Sequence, residues 1–365
     1  MPDEPLRHSP LEDVHRSLGA KLAPFARWLM PIEYAGALSE HRAVRERVGL
    51  FDLSHLGKVD LRGAHAEATI RRLFTNDPAK VAVGRAQYHH LLDERSGGVL
   101  EDLFVYRLAA ERWFVVPNAS NKDLVVGELR STPAEIEDHD DWCFLGVQGP
   151  RSPAVIARLW PVAPDLPFLG CTVAAFGGGD IVLARTGYTG ERGYELFAPG
   201  DRAAALWDAL LETGGDAGIE PCGLGARDVL RLEMGYPLYG QDLDPWHTTL
   251  EAGLGWAVSF DKGDFRGRDA LIRQREDGLP SLLHGLVTAD RRSIPRPHQP
   301  VLLGDEVVGE VTSGTFSPTR GTGIALAYLA PGDAHPVGSD VEIDIRGRRA
   351  PARVVATPFV DRSPR

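Results

Sequence analysis

Cysteine is scarce: Cys143, Cys171 and Cys222 are the three in 365 residues. They are odd in number, widely spaced and form no Cys-x-x-Cys pair, which leaves no disulfide framework and no cysteine-based zinc site, and points to a reduced, cytoplasmic setting. Long apolar runs are missing too. None approaches the roughly 20 residues that cross a bilayer, so no membrane span is expected. The stretch from Met1 to Asp13 is polar and acidic and has no apolar h-region of a secretory signal. Excess basic charge is absent: the formal net charge is -11. That argues against sequence-independent nucleic-acid binding, which needs a basic surface to displace counterions from phosphates. No Gly-x-Ser-x-Gly elbow occurs and no cysteine sits in an activating setting, so covalent catalysis has no visible candidate. Metal is not expected either. His89 and His90 are neighbours on a predicted strand and face opposite ways, while His41, His55 and His247 have no ligand-spaced carboxylates or cysteines beside them.

What is present is an ordinary globular composition, 43% apolar and 25% charged. The length exceeds what one hydrophobic core usually serves, so two or three domains are expected. Ser9-Pro10-Leu11-Glu12 reads as a capping box opening a helix that Gly19 ends. A helical segment near Glu40 to Val48 leads into Gly49 to Gly57, a buried strand with a polar end. From Val59 to Arg130 strands and helices alternate as an α+β unit. A second such unit follows, with an apolar strand at Cys143 to Gln148, a helix from Ser152-Pro153, a hairpin from Arg185 to Phe197 turning through Tyr188-Thr-Gly-Glu191, and a helix over Asp201 to Glu212. Gly223-Leu-Gly-Ala-Arg-Asp228 opens another helix, but a lone Gly-x-Gly lacks the spacing of a dinucleotide or phosphate loop. Beyond Leu279, short Val- and Leu-rich runs between glycines predict a small all-β barrel or sandwich.

The most informative stretch runs from Gly97 to Tyr106, where a Gly-Gly turn signal enters a β-branched and aromatic run. Strand alternation puts Leu100, Asp102, Phe104 and Tyr106 on one face, with Glu101 and Arg107 on the other. Asp102 then lies among apolar neighbours, where a carboxylate costs several kcal/mol unless it is paired, hydrogen-bonded or kept for chemistry. On this stretch alone, capping a turn or pairing with a buried arginine stays open for it. Tyr88, Tyr106, Asn118, Glu195, Arg227 and Tyr236 join Asp102 at the ends of predicted elements; taken singly, each fits a structural role as well as a functional one.

Taken together these residues sit in a series of motifs: Gly19-Ala-Lys, Trp28-Leu-Met-Pro31, Glu40-His-Arg-Ala-Val-Arg45, Gly49-Leu-Phe-Asp-Leu-Ser-His55, Gln148-Gly-Pro150, Arg185-Thr-Gly-Tyr-Thr-Gly190, Gly193-Tyr-Glu195, Pro221-Cys-Gly-Leu-Gly-Ala-Arg-Asp228, Leu238-Tyr-Gly-Gln-Asp242 and Thr312-Ser-Gly-Thr-Phe-Ser-Pro318. In order and along nearly the whole chain, they resemble the aminomethyltransferases, or T-proteins, of the glycine cleavage system. The resemblance implies an α+β fold of three domains around a central folate channel. A discontinuous first α+β domain covers 1–52 and 138–245, and a second covers 53–137 and 246–278 and carries the catalytic Asp, both of ferredoxin-like or Greek-key type; a C-terminal β-barrel covers 279–365. It also implies tetrahydrofolate as co-substrate and a lipoylated H-protein as carrier, with ammonia and methylenetetrahydrofolate as products and no metal. Asp102 would then be catalytic, Glu195 would accept the pterin's paired N–H donors, and Arg227, Tyr88, Tyr106, Tyr236 and Asn118 would line the folate site.

The chain departs from the family's common residues at Glu101 (Asp), Leu56 (Met), Arg27 (Gly) and Arg320 (Leu). The second acid, Asp102, is the one the family uses. Three rival readings share the scaffold: folate-dependent demethylases of small methyl donors, folate domains fused behind flavin-dependent amine dehydrogenases, and non-enzymatic folate-binding factors of iron-sulfur maturation. No dinucleotide domain precedes the match, and Gly235-Tyr-Pro-Leu-Tyr-Gly-Gln241 lacks the cysteine of the maturation factors.

Overall fold

The strand Val48–Asp52 lies inside a six-stranded sheet, and all its residues are buried, as are those of Cys143–Gln148 and Gly193–Ala198 beside it. The computed structural model describes residues 5–332 and 334–364, so Met1 to Glu4 of the polar N-terminal stretch lie outside the described residues. Strand order in this sheet is Cys171–Phe176, Gly179–Ala184, Gly193–Ala198, Cys143–Gln148, Val48–Asp52, Ile219–Cys222. The strands Val48–Asp52, Cys143–Gln148 and Gly193–Ala198 are largely apolar because both faces are covered, with Asp52, Gln148 and Glu195 their buried polar residues. One face packs Leu50, Leu145, Val147 and Leu196 against Val155, Ile156, Leu206 and Trp207 of the helices Ser152–Leu159 and Ala203–Gly214. The other sets Phe51, Phe144 and Phe197 against Tyr106 and Phe114 of a second sheet, with Phe114 and Phe197 ring centres 5.1 Å apart.

That second sheet is antiparallel and ordered Arg85–Leu92, Val99–Ala109, Arg112–Val116, Val59–Arg62, Glu135–Asp138. The last strand straddles the 137/138 position at which the sequence divides the first two domains. The C-terminal part is a closed six-stranded barrel over Leu282–Val355, filled by Leu286, Val301, Val311, Ala325, Ala327 and Val354. Closure leaves the sheet no open edges. The helix Leu224–Glu233 touches all three bodies. Its Glu233 accepts from His41 (2.9 Å) and Arg45 (2.7 Å) of the helix Ala37–Glu46 and from Ser317 (2.5 Å) of the barrel. Arg231 donates to Asp242 (2.7 Å) and to Ser313 of the barrel (2.9 Å). Among the described residues no helix is long and apolar enough to cross a membrane.

Three local expectations are corrected. The arms of the predicted hairpin are not Arg185 to Phe197. Gly193–Ala198 pairs with Gly179–Ala184, and the residues between them form a loop wrapped on Gln148. Gly187 and Gly193 allow this: a Cβ on either would lie 2.1 or 2.3 Å from the Gln148 side chain. In the strand Val99–Ala109, Leu100 is the extra residue of a β-bulge, since Leu91 pairs with Glu101 and Leu92 with Val99. It therefore packs with Leu103 and Val105, not with Asp102. Finally, the helix after Ser9 begins at Glu12. Ser9 Oγ accepts from the Leu11 N–H (3.1 Å) and donates to Asp52, while Glu12 pairs with Arg16 (2.6 Å) instead of closing a capping box.

Candidate active site

Where the two sheets and the helix Leu224–Glu233 meet, they leave a cavity of about 1230 Å³. All seven residues singled out in the sequence line it: Tyr88, Asp102 and Tyr106 from the second sheet, Asn118 just past its third strand, Glu195 from the first sheet, Arg227 from the helix and Tyr236 after it. At one end Asp102 is held by two donors, Tyr88 Oη to Oδ2 at 2.8 Å and Asn118 Nδ2 to Oδ1 at 2.8 Å. Burial pushes this carboxyl up, the two hydrogen bonds pull it back and the charge of Asp242 pushes it up again, leaving it at about 6. A group poised there changes charge close to neutral pH, as proton transfer requires.

Glu195 lies in a different part of the cavity. Its Oε2 accepts from Thr186 Oγ1 and from Tyr106 Oη (3.3 Å). Burial raises its pKa, opposed by the Thr186 hydrogen bond and the positive charge of Arg227. The Arg227 guanidinium lies 4.7 Å above the ring of Tyr188, and Tyr188 stacks on Tyr236 with centres 5.7 Å apart. Tyr88 and Tyr106 are raised well above the ordinary phenol range by burial and neighbouring carboxylates, so both remain neutral donors. Asn118 lines the cavity beside Asp102. Its Nδ2 is taken by Glu101 Oε1 (2.6 Å), Asp102 O (3.0 Å) and Asp102 Oδ1.

Among the aromatic residues of the cavity beyond Tyr88, Tyr106 and Tyr236 are Tyr188 and Trp256. Tyr188 stood inside a quoted motif, in a Gly-Tyr-Thr-Gly loop, where an aromatic between glycines is a usable signal. Trp256 had none. It reaches the rim from the short turn Gly255–Ala257 and stacks on Tyr88 at 5.7 Å while 67% exposed. Among the described residues one group could hold a metal, Asp60, Glu137 and His139. It does not line the cavity, and Asp60 is already bonded to Arg112 (2.7 Å) and Arg62 (3.0 Å).

A closed barrel joined to two packed α+β sheets, with a deep aromatic cavity that separates a poised acid from the buried Glu195, defines a small-molecule transferase or binding scaffold. The chain matches the family model of the GCVT N-terminal domain over residues 11–262 and that of the glycine cleavage T-protein C-terminal barrel domain over 282–361. It is 48% identical to an aminomethyltransferase of Frankia alni and 46% identical to one of Symbiobacterium thermophilum, each match covering 99% of both chains. The crystal structure of the glycine cleavage system aminomethyltransferase T from Bartonella henselae superposes with a TM-score of 0.91 at 33% identity, over 98% of this chain and 99% of that one. The chain thus belongs to the glycine cleavage T-protein family and is an aminomethyltransferase.

Proposed function

We propose that the protein takes the aminomethyl group from the lipoyl arm of an H-protein and passes its one-carbon unit to tetrahydrofolate in the cavity, releasing ammonia and methylenetetrahydrofolate. The observation that carries this reading is the cavity itself. It is large enough for a drug-sized ligand, which needs about 300–1,000 Å³, and its walls suit a folate: flat rings at Tyr88, Tyr106, Tyr188 and Tyr236, and a buried carboxylate at Glu195.

Glu195 would accept two parallel N–H donors from the amino-pyrimidinone edge of the pterin, a charge-assisted fork. Thr186 and Tyr106 fix the carboxylate for it, and Arg227 favours its charged form. The folate supplies the nitrogens that receive the methylene carbon. Asp102 orients the attacking nitrogen and takes up or stabilises a proton as the new bond forms. Holding both partners in place contributes on the order of several kcal/mol to lowering the barrier. The step calls for no metal. We assign the α+β domains to 1–52 with 138–245 and 53–137 with 246–278, and the barrel domain to 279–365. Their support is the two sheets and the closed barrel. A cytoplasmic location is supported by the three cysteines, all free and buried.

Titration calorimetry with tetrahydrofolate, followed by an assay of ammonia release from aminomethylated H-protein, tests the reading. Heat of binding and folate-dependent ammonia release are expected; no binding and no thermal stabilisation would overturn it. Equal turnover of a free small methyl donor would favour the demethylase reading instead.

A further inference from the structure

The strand Val99–Ala109 carries two neighbouring carboxyls that alternation sends to opposite sides. Asp102 lines the cavity; Glu101 points away from it and is wholly buried. Asn118 joins the two. Its backbone N–H donates to Glu101 Oε1 at 2.8 Å, and its side-chain Nδ2 donates to the same oxygen at 2.6 Å as well as to Asp102 Oδ1 and Asp102 O. An amide NH₂ has two hydrogens and here serves three acceptors, so its plane is set as much by Glu101 as by Asp102. A side chain that served only the turn after Val116 would need the backbone bond alone.

We propose that Glu101 is a positioning residue for the transfer reaction, acting through the Asn118 amide to fix the orientation of the Asp102 carboxyl. The proposal rests on the role given to Asp102 above. Two adjacent carboxyls in a site shielded from water do not both ionise. Glu101, the more deeply buried, keeps the proton; Asp102, with Tyr88 and Asn118 donating to it, carries the charge on the cavity side. The groups facing the pair fit this division. Tyr88 and His90 on the paired strand are neutral, His90 being held at about 3 by burial. Tyr239, Asp242 and Asp244 approach from the segment after the helix Leu224–Glu233, and Asp242 is paired with Arg231 at 2.7 Å. The Asn121 amide lies close to Glu101 and makes no well-formed hydrogen bond to its Oε2.

The test is single-turnover transfer and tetrahydrofolate affinity across pH in the full chain. Glu101→Ala should slow transfer by about ten-fold or more through misorientation, with folate affinity kept. Glu101→Gln should recover most of that loss and keep the wild-type acid limb, because an amide reproduces the acceptor and donor of a neutral acid. Asn118→Ala should cost as much as Glu101→Ala, and the double variant no more than either, the signature of residues acting as one unit. A wild-type rate and pH profile in Glu101→Ala would overturn the proposal, as would additive losses or a Glu101→Gln variant as slow as the alanine. Should Glu101→Ala fail to fold, Glu101→Gln alone decides: a slowed rate or a displaced acid limb overturns the proposal. Asp102→Asn separates the two readings. If it is dead while Glu101→Ala is fully active, this inference alone fails; if it is fully active, the assignment of Asp102 fails.

Discussion

Asp102 can be replaced without rebuilding its surroundings. Asparagine in its place keeps an oxygen for Asn118 and offers an NH₂ toward the Tyr88 oxygen. Asp102→Asn should therefore fold, bind folate within a few-fold of wild type and lose about 100-fold or more in single-turnover rate. It should also raise the Tm. The folded-state pKa of Asp102, about 6, lies above the ordinary carboxylate value, so the charged form costs stability, and that cost grows as pH rises through this interval. The wild-type transfer rate should correspondingly climb with pH through about 6. Glu195→Gln makes the opposite change: an amide NH₂ faces the ligand's donors, and folate affinity falls by roughly 1–3 kcal/mol with the fold kept. Wild-type affinity should weaken in acid, since burial raises the pKa of Glu195 and binding needs its charged form. Calorimetry from pH 5 to 8 reads both effects. The sequence made these residues legible because strand alternation isolates Asp102 among apolar neighbours and because the flanking motifs are dense. Trp256 and the reach of Asn118 across both carboxyls were not legible, since each depends on contacts between distant elements.

Elements were read well where one pattern dominated. Cys143–Gln148 was placed to the residue because a strand buried on both faces is a plain apolar run. The hairpin was misplaced because the loop from Arg185 to Arg192 carries Gly187 and Gly190, a turn signal that here marks close packing on Gln148 and Met234. The true hairpin turn is Gly177-Gly178, both with positive φ (59° and 81°), between Cys171–Phe176 and Gly179–Ala184. A Gly-Gly pair is a strong hairpin signal. The helix Leu224–Glu233 opens after Gly223 as the sequence indicates, and its far end is a joint. Burial pushes Glu233 up, but hydrogen bonds from His41 and the charge of Arg45 more than offset this and hold it at about 2. A carboxylate depressed in the folded state contributes stability above its ordinary range, and that contribution is lost as pH falls toward about 2. Glu233→Gln should cost about 1–3 kcal/mol at pH 7, because Arg45 and His41 lose a charged acceptor while Arg45 keeps Glu191 at 2.9 Å, and should flatten the acid limb of the stability curve. Urea unfolding at pH 7 and pH 3 measures both.

On the scale of the whole molecule, the two sheets and the helix Leu224–Glu233 enclose the cavity, and its chemistry is split between them. The acid belongs to the second sheet, the buried carboxylate to the first, and the helix carrying Arg227 is pinned to the barrel through Arg231 and Glu233. The barrel was visible in the sequence as a change of texture, but its closure was not, since closure depends on Leu282–Thr288 pairing with Arg348–Val355 across the length of the domain. An acidic carrier of the donor would need local basic charge at its dock on a chain of net charge -11, and Lys80 and Arg85 line the cavity. Turnover with aminomethylated H-protein should exceed that with free aminomethyl-dihydrolipoamide, and its apparent affinity should fall as salt rises toward and past about 0.15 M. The central claim is that Asp102 acts on an aminomethyl group delivered to a folate held by Glu195. Rapid-quench measurement of methylenetetrahydrofolate formed in a single turnover from carrier-borne aminomethyl groups tests it most directly, with wild type, Asp102→Asn and Glu195→Gln compared at saturating and limiting tetrahydrofolate. The account predicts product from wild type, a slow Asp102→Asn reaction at every folate concentration, and a Glu195→Gln defect that saturating folate largely relieves. Near wild-type product formation by Asp102→Asn, or none by folate-saturated wild type, would contradict it.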